Sequence, residues 1–362
     1  MSDEPGRLAG KRVLFITKHR SVQDEATGQV YGGMSSGLLN SARFVAEMLG
    51  RHGAEARVVQ VVDNNGIDRE VHQFKPEIVV VEALWVVPEK FAVLTKLHPS
   101  VKWVVRLHSD FPFLSNEGSA LDWLSHYLDY PGVHINANSI STKDSLQFLL
   151  EARYRNVDTV QVSERLSYLP NYYPVDWKAK REKIEDPEFI DIASPGAVRP
   201  MKGHLNQAVA AIKFAEDLGR TLRFHINSGR VEGRGEPVQK NLRNLFANQS
   251  RHQLVEHSWA PHEDFLKVVA QMDIGMQVSF SETFCIVAAD FVNLNVPVVV
   301  SDEIDWVSQL FWADPNDVES QVRKLKVAWY GRHLNLQALN KFGLDRYAEQ
   351  SEIRWCDFVA RS

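Results

Sequence analysis

Cysteine is scarce: the 362 residues hold two, Cys285 and Cys356, far apart in the chain. That excludes a disulfide framework and fits reduced thiols in a cytoplasmic setting. No apolar run approaches the length of a membrane span. The polar, acidic start MSDEPGRLAGKR is neither a signal peptide nor a transit peptide. Basic excess is also lacking. Lys and Arg number 41 against 46 Asp and Glu, a formal net charge of −5, so bulk charge points to neither nucleic acid nor an anionic membrane. There is no low-complexity tract and no solenoid period. Metal-ligand spacings are absent: no C-x-x-C, no H-E-x-x-H, no D-x-D. The P-loop is absent as well.

What is present is a globular composition, 44% hydrophobic and 24% charged, in a chain long enough for two domains. Short apolar runs alternate with helical periodicity. Val13 to Thr17 reads as a buried first strand, and Leu38 to Leu49 as a helix. Strands follow at Ala56 to Val62, Ile78 to Val81, Trp103 to Leu107 and His134 to Ala137. The alternation predicts a parallel sheet flanked by helices. It lapses at Tyr172 to Glu188, where Pro174, Pro187 and the run KAKREKIED suggest a linker or a solvated surface helix. A second series opens at Phe189 to Ala193. Strands are expected at Leu222 to Ile226, Leu254 to His257, Ile274 to Val278, Val298 to Val300 and Leu310 to Ala313, and the tail is expected to be an amphipathic helix.

The stretch VSFSETFCIVAADFVNLNVPVVVS, from Val278 to Ser301, carries the densest chemistry. A helix is expected to start near Ser281 and Glu282, presenting the amides of Thr283, Phe284 and Cys285 at its positive end, where a phosphate is favoured. Glu282 and Asp290, eight positions apart, offer acceptors for sugar hydroxyls. The same pattern also fits a capped amphipathic helix with two solvated acids. The loop SPGAVRPMKGH places Arg199 and Lys202 at another helix start, as phosphate ligands or as exposed surface charges. In the first half, YGGMSSG puts Gly32, Gly33, Ser35 and Ser36 at an amide-rich turn, either a phosphate contact or a plain helix cap. His108 and Asp110 follow a strand whose carboxyl end should face a crevice. His108 is either a site residue or a satisfied structural histidine.

These motifs resemble those of retaining GT-B glycosyltransferases of the group-1 (family 4) type. Glu282 and Asp290 are similar to the E-x7-E signature, with Asp in place of the second Glu. Arg199 to Gly203 is similar to a shortened G-R-x-x-x-x-K-G element, and YLPNYYPVD to the I-P-N-G-V-D hinge element. The resemblance implies an α/β GT-B fold. Two Rossmann-like lobes would face each other across a cleft, and a C-terminal helix would cross back. The domains would be an acceptor lobe over 1–175, a donor lobe over 176–340 and a closing helix over 341–362.

The implied activity moves a sugar, with retention and without a metal, from a nucleoside-diphosphate sugar such as a UDP-sugar to an acceptor hydroxyl. No cofactor is expected. Implied roles are Arg199, Lys202, Gly33 and the amides of Thr283, Phe284 and Cys285 on the diphosphate. Glu282 would take the sugar, Asp290 the ribose, His108 the anomeric centre, and Asp110 would orient His108 or contact an acceptor hydroxyl. His257 and Trp259 fall where the family packs the base, although Trp259 also reads as core. Alternative readings are a phage-type transferase acting on hydroxymethylated DNA bases, a nucleotide-sugar epimerase, and a non-catalytic nucleotide-binding protein. The acceptor stays open among glycan, lipid, small molecule and modified DNA.

Overall fold

The computed structural model describes residues 6–19, 21–23, 30–32, 37–157, 160–181 and 183–362. The chain divides into two compact units. One contains most of the chain up to Pro174 together with Ala348–Ser362, and the other chiefly Val175–Tyr347.

The first unit is built on a six-stranded sheet. Its order is Glu55–Val61, Arg12–Lys18, Ile78–Glu82, Lys102–Leu107, Val133–Ala137 and Leu166–Tyr168, with every neighbour parallel. Strands covered on both faces read as unbroken apolar runs rather than as alternation. Ile78–Glu82 is buried at all five positions. An aromatic trio anchors this core: Phe91 meets Trp103 and Tyr127 edge-on at 5.9 and 5.7 Å. Such geometry suits ring quadrupoles.

The second unit carries a five-stranded parallel sheet in the order Gln253–His257, Thr221–Asn227, Phe189–Ala193, Ile274–Gln277 and Val298–Val300. The strand order reverses between Phe189–Ala193 and Ile274–Gln277, which is where doubly wound sheets place ligands. Helix Ile286–Asn293 packs tightly here. A Cβ on Gly275 would stand 2.7 Å from the Phe291 ring.

Two local expectations differ from the structure. Helix Ile286–Asn293 starts four residues after Glu282, because Cys285 sits in the left-handed region at φ 59°. Tertiary contacts hold the preceding loop: the Trp306 indole donates to the Phe284 carbonyl at 2.8 Å, and the Phe284 ring stacks on Tyr347 at 5.0 Å. Leu310 to Ala313 is a single 3-10 turn, Gln309–Phe311, followed by one parallel bridge from Trp312 to Val300. The tail is the helix Ala338–Ala360. Among the described residues no helix is long and apolar enough to cross a membrane.

Gly203 joins the turn Pro200–Lys202 to helix His204–Asp217 at φ 64°, and a Cβ there would lie 2.8 Å from the Val278 carbonyl oxygen. Gly203→Ala is therefore expected to cost about 2 kcal/mol or more, through left-handed strain plus the clash. A urea midpoint unchanged from wild type would contradict this.

Candidate functional site

Two loops leave the sheet of the second unit at its reversal point, and three buried side chains knit them together. The Lys202 ammonium donates to the Glu282 carboxylate, to Gln277 Oε1 at 3.2 Å and to Cys285 Sγ at 3.9 Å. Gln277, the last residue of its strand, donates through Nε2 to the Pro195 carbonyl at 2.9 Å. Gln207 donates to the Lys202 carbonyl at 2.6 Å and accepts from the Val278 amide at 3.2 Å. The Phe280 amide donates to the Met201 carbonyl at 2.9 Å. Sequence reading had proposed Lys202 and Glu282 but neither glutamine. The signal for Gln277 was a lone polar residue closing a buried strand.

The electrostatics follow from this packing. Burial works against the Glu282 charge, yet the Lys202 and Arg199 cations hold its carboxyl below the usual range. Burial pushes the Cys285 thiol up to about 12, so it stays protonated. Arg199 is half-buried, with Nη1 4.0 Å from the Glu232 carboxylate. Thr283, Phe284 and Cys285 lie in the loop ahead of the helix, and Cys285 is its N-cap. Asp290 is buried inside the helix and accepts from His262 Nε2 at 2.8 Å. Burial opposes the His262 charge, but the Asp290 bond and charge, with Glu263, raise its pKa. Sequence reading missed His262.

Next to these loops lies a cavity of about 160 Å³ at the carboxyl ends of the first three strands of the unit. Its walls include Ala193, Pro195, His225, Asn227 and His257, and Asp264 and Phe265 from helix His262–Ala270. Pro195 joins it to Gln277 and hence to Lys202, while helix His262–Ala270 joins it to Asp290.

In the first unit His108 follows strand Lys102–Leu107, and its partner is Glu82, whose carboxylate His108 Nε2 contacts. The parallel register sets Glu82 opposite Arg106. Arg106 is fully buried; Nη1 lies 3.2 Å from both Glu82 oxygens, and Nη2 donates to the Pro170 carbonyl at 3.0 Å and to Asn171 Oδ1 at 2.6 Å. Burial would raise the Glu82 pKa, but Arg106 and His108 bring it below the ordinary value. Burial and the Arg106 charge lower the His108 pKa against the pull of Glu82. Asp110 caps helix Phe111–Leu114, accepting from the Phe111 amide at 2.7 Å, and takes the hydroxyls of Thr142 at 2.7 Å and Ser141 at 3.0 Å. Gly33 lies outside the described residues, as do Ser35 and Ser36. Among the described residues no three His, Cys, Asp or Glu side chains gather as a metal-ligand set.

No protein-family model and no curated protein sequence matches the chain. Solved structures do match it, over nearly its whole length. The UDP-forming α,α-trehalose-phosphate synthase from Burkholderia vietnamiensis has a TM-score of 0.66 at 11% identity, covering 97% of this chain and 96% of that one. The chain has the GT-B fold. Sucrose-phosphate synthase from Thermosynechococcus elongatus shares this fold at a TM-score of 0.65 and 12% identity, covering 95% of this chain and 97% of that one. The E. coli trehalose-6-phosphate protein bound with UDP-2-fluoro glucose has a TM-score of 0.67 at 10% identity, covering 96% and 97%. At these identities the likeness is one of fold.

Two outcomes follow from the buried charges. Glu82→Ala leaves the Arg106 guanidinium without its carboxylate in the core, and should cost about 3 kcal/mol or more in a denaturation midpoint. A near-neutral effect would show that the pair is not worth what its burial implies. The second concerns His204, a buried ring whose pKa is pushed down to about 3 by burial and the charges of Lys202 and Arg199. Unfolded, the ring titrates near 6.5. The unfolded state therefore takes a proton that the folded state refuses. That stability is complete above pH 6.5 and is lost as pH falls toward 3. Between pH 6.5 and 5 the loss is about 2 kcal/mol. Chemical denaturation at stepped pH should show it, and His204→Phe should flatten that limb.

Proposed function

We propose that the chain is a glycosyltransferase that moves a sugar, with retention and without a metal ion, from a nucleoside-diphosphate sugar to an acceptor hydroxyl. The observation that carries this reading is the Lys202–Glu282 pair, set with Arg199 at the reversal point of a GT-B second unit. Cations and loop amides at that place suit a diphosphate. The ligand would run from Arg199 and Lys202, past Asp290 and its His262 partner, to the cavity beside His257. That is the order diphosphate, ribose, base. Asp290 would hold the ribose with His262 fixing its carboxylate, and Glu282 would grip the sugar. UDP-sugars are the donor class to try first, since UDP appears in the names of two of the structures that share the fold. Those names also point to a phosphorylated sugar as product.

The first unit would take the acceptor. His108, oriented by Glu82, would stand at the anomeric centre, and Asp110 would brace the loop that carries it. The departing diphosphate would be neutralised by Arg199 and Lys202 as its bond to the sugar breaks. A preorganised donor of this kind is worth roughly 3 kcal/mol of barrier.

Release of UDP from UDP-glucose should be assayed with hexose phosphates as acceptors. Lys202→Ala should lower kcat by about 10²-fold. Turnover at the wild-type rate in that variant would remove Lys202 from the leaving-group role. Absence of any transfer from a panel of nucleotide sugars would count against the whole reading.

A further inference from the structure

Asp191, His225 and His257 form a hydrogen-bonded chain from the interior of the second unit to the cavity wall. Asp191 is buried in strand Phe189–Ala193. Its carboxylate receives Arg223 at 2.5 and 2.7 Å, Lys183, and His225 Nε2 at 2.9 Å. Burial opposes its charge, but the bonds from His225, Arg223 and Lys183 hold it well below the usual carboxylate range. An ionised carboxylate only accepts, so His225 Nε2 must carry the hydrogen. His225 Nδ1 lies 2.8 Å from His257 Nε2, and the two rings are inclined by 15° with centroids 5.1 Å apart.

A neutral imidazole has one N–H and one lone pair. With both rings neutral, His225 spends its N–H on Asp191 and its Nδ1 accepts from His257 Nε2. His257 then has Nδ1 left as a lone-pair acceptor. Burial and the neighbouring His225 lower the His257 pKa, which favours that neutral ring.

Both histidines line the cavity, whose remaining walls include the apolar Phe265, Val268 and Met272. Its volume of about 160 Å³ is close to that of an engineered protein cavity, roughly 150 Å³, that admits one benzene ring. One six-membered ring fits such a space, with apolar walls for its faces.

We propose that His257 reads the edge of a pyrimidine base in this cavity, accepting from a ring N–H through Nδ1, and that Asp191 fixes this tautomer through His225. His257 is thus a specificity residue and His225 a positioning residue. The inference rests on the donor-nucleotide reading above and adds which base the site selects and how.

The test is calorimetric binding of three probes to the full chain: UDP, UDP methylated at N3 of the uracil ring, and inorganic pyrophosphate. Wild type should bind UDP about tenfold more tightly than the N3-methyl form, the worth of one hydrogen bond with its partner left unsatisfied. His257→Phe keeps a ring but loses the acceptor. It should bind the two nucleotides within about twofold of each other, with pyrophosphate affinity unchanged. His257→Gln, which restores an acceptor oxygen, should recover part of the preference. His225→Phe should weaken the preference without touching pyrophosphate. Equal affinity of wild type for the two nucleotides, or full preference retained in His257→Phe, overturns the proposal. Pyrophosphate binding without nucleotide binding also overturns it, and leaves the diphosphate site standing. Binding of none of the three overturns the donor reading itself.

Discussion

A lysine ammonium and a glutamate carboxylate removed from water must meet, because either one alone would carry an uncompensated desolvation cost. Lys202 and Glu282 impose that requirement on loops 80 residues apart. The rest of the second unit can be seen as satisfying it. Gly203 lets the Val278 carbonyl approach, Gln207 and Gln277 hydrogen-bond across the two loops, and Gly275 makes room for Phe291 so that helix Ile286–Asn293 sits against its strand. Such a pair contributes little net stability. What it supplies is position: a cation and an anion held at one point on the sheet.

The same logic recurs at two further carboxylates. Glu82 is kept charged by Arg106 and His108 in the first unit, and Asp191 by Lys183, Arg223 and His225 in the second. Each buried anion orders an imidazole, and each imidazole lies at or near a strand end. The carboxylates are thus internal, and each reaches its imidazole.

Much of the architecture could be read from periodicity. The apolar runs at Val13, Ile78, Trp103 and Phe189 are strands, because residues covered on both sides of a parallel sheet have no polar alternation to hide. Helix Ile286–Asn293 was foreseen but not its start, since a left-handed Cys285 and the Trp306 bond to Phe284 are tertiary effects that override local preference. Glu82 left a trace, an acid closing the run IVVVE beside a strand that reads KWVVRL, but only the register sets that acid opposite Arg106.

The sequence by itself determined the two α/β series, because these depend on spacing along one chain. The tertiary structure alone decided the partners: Lys202 with Glu282, Asp290 with His262, His108 with Glu82, and His257 with His225. Pairing across strands follows from sheet order and register. Those are set by burying whole faces at once, a collective free energy that no local stretch of residues encodes.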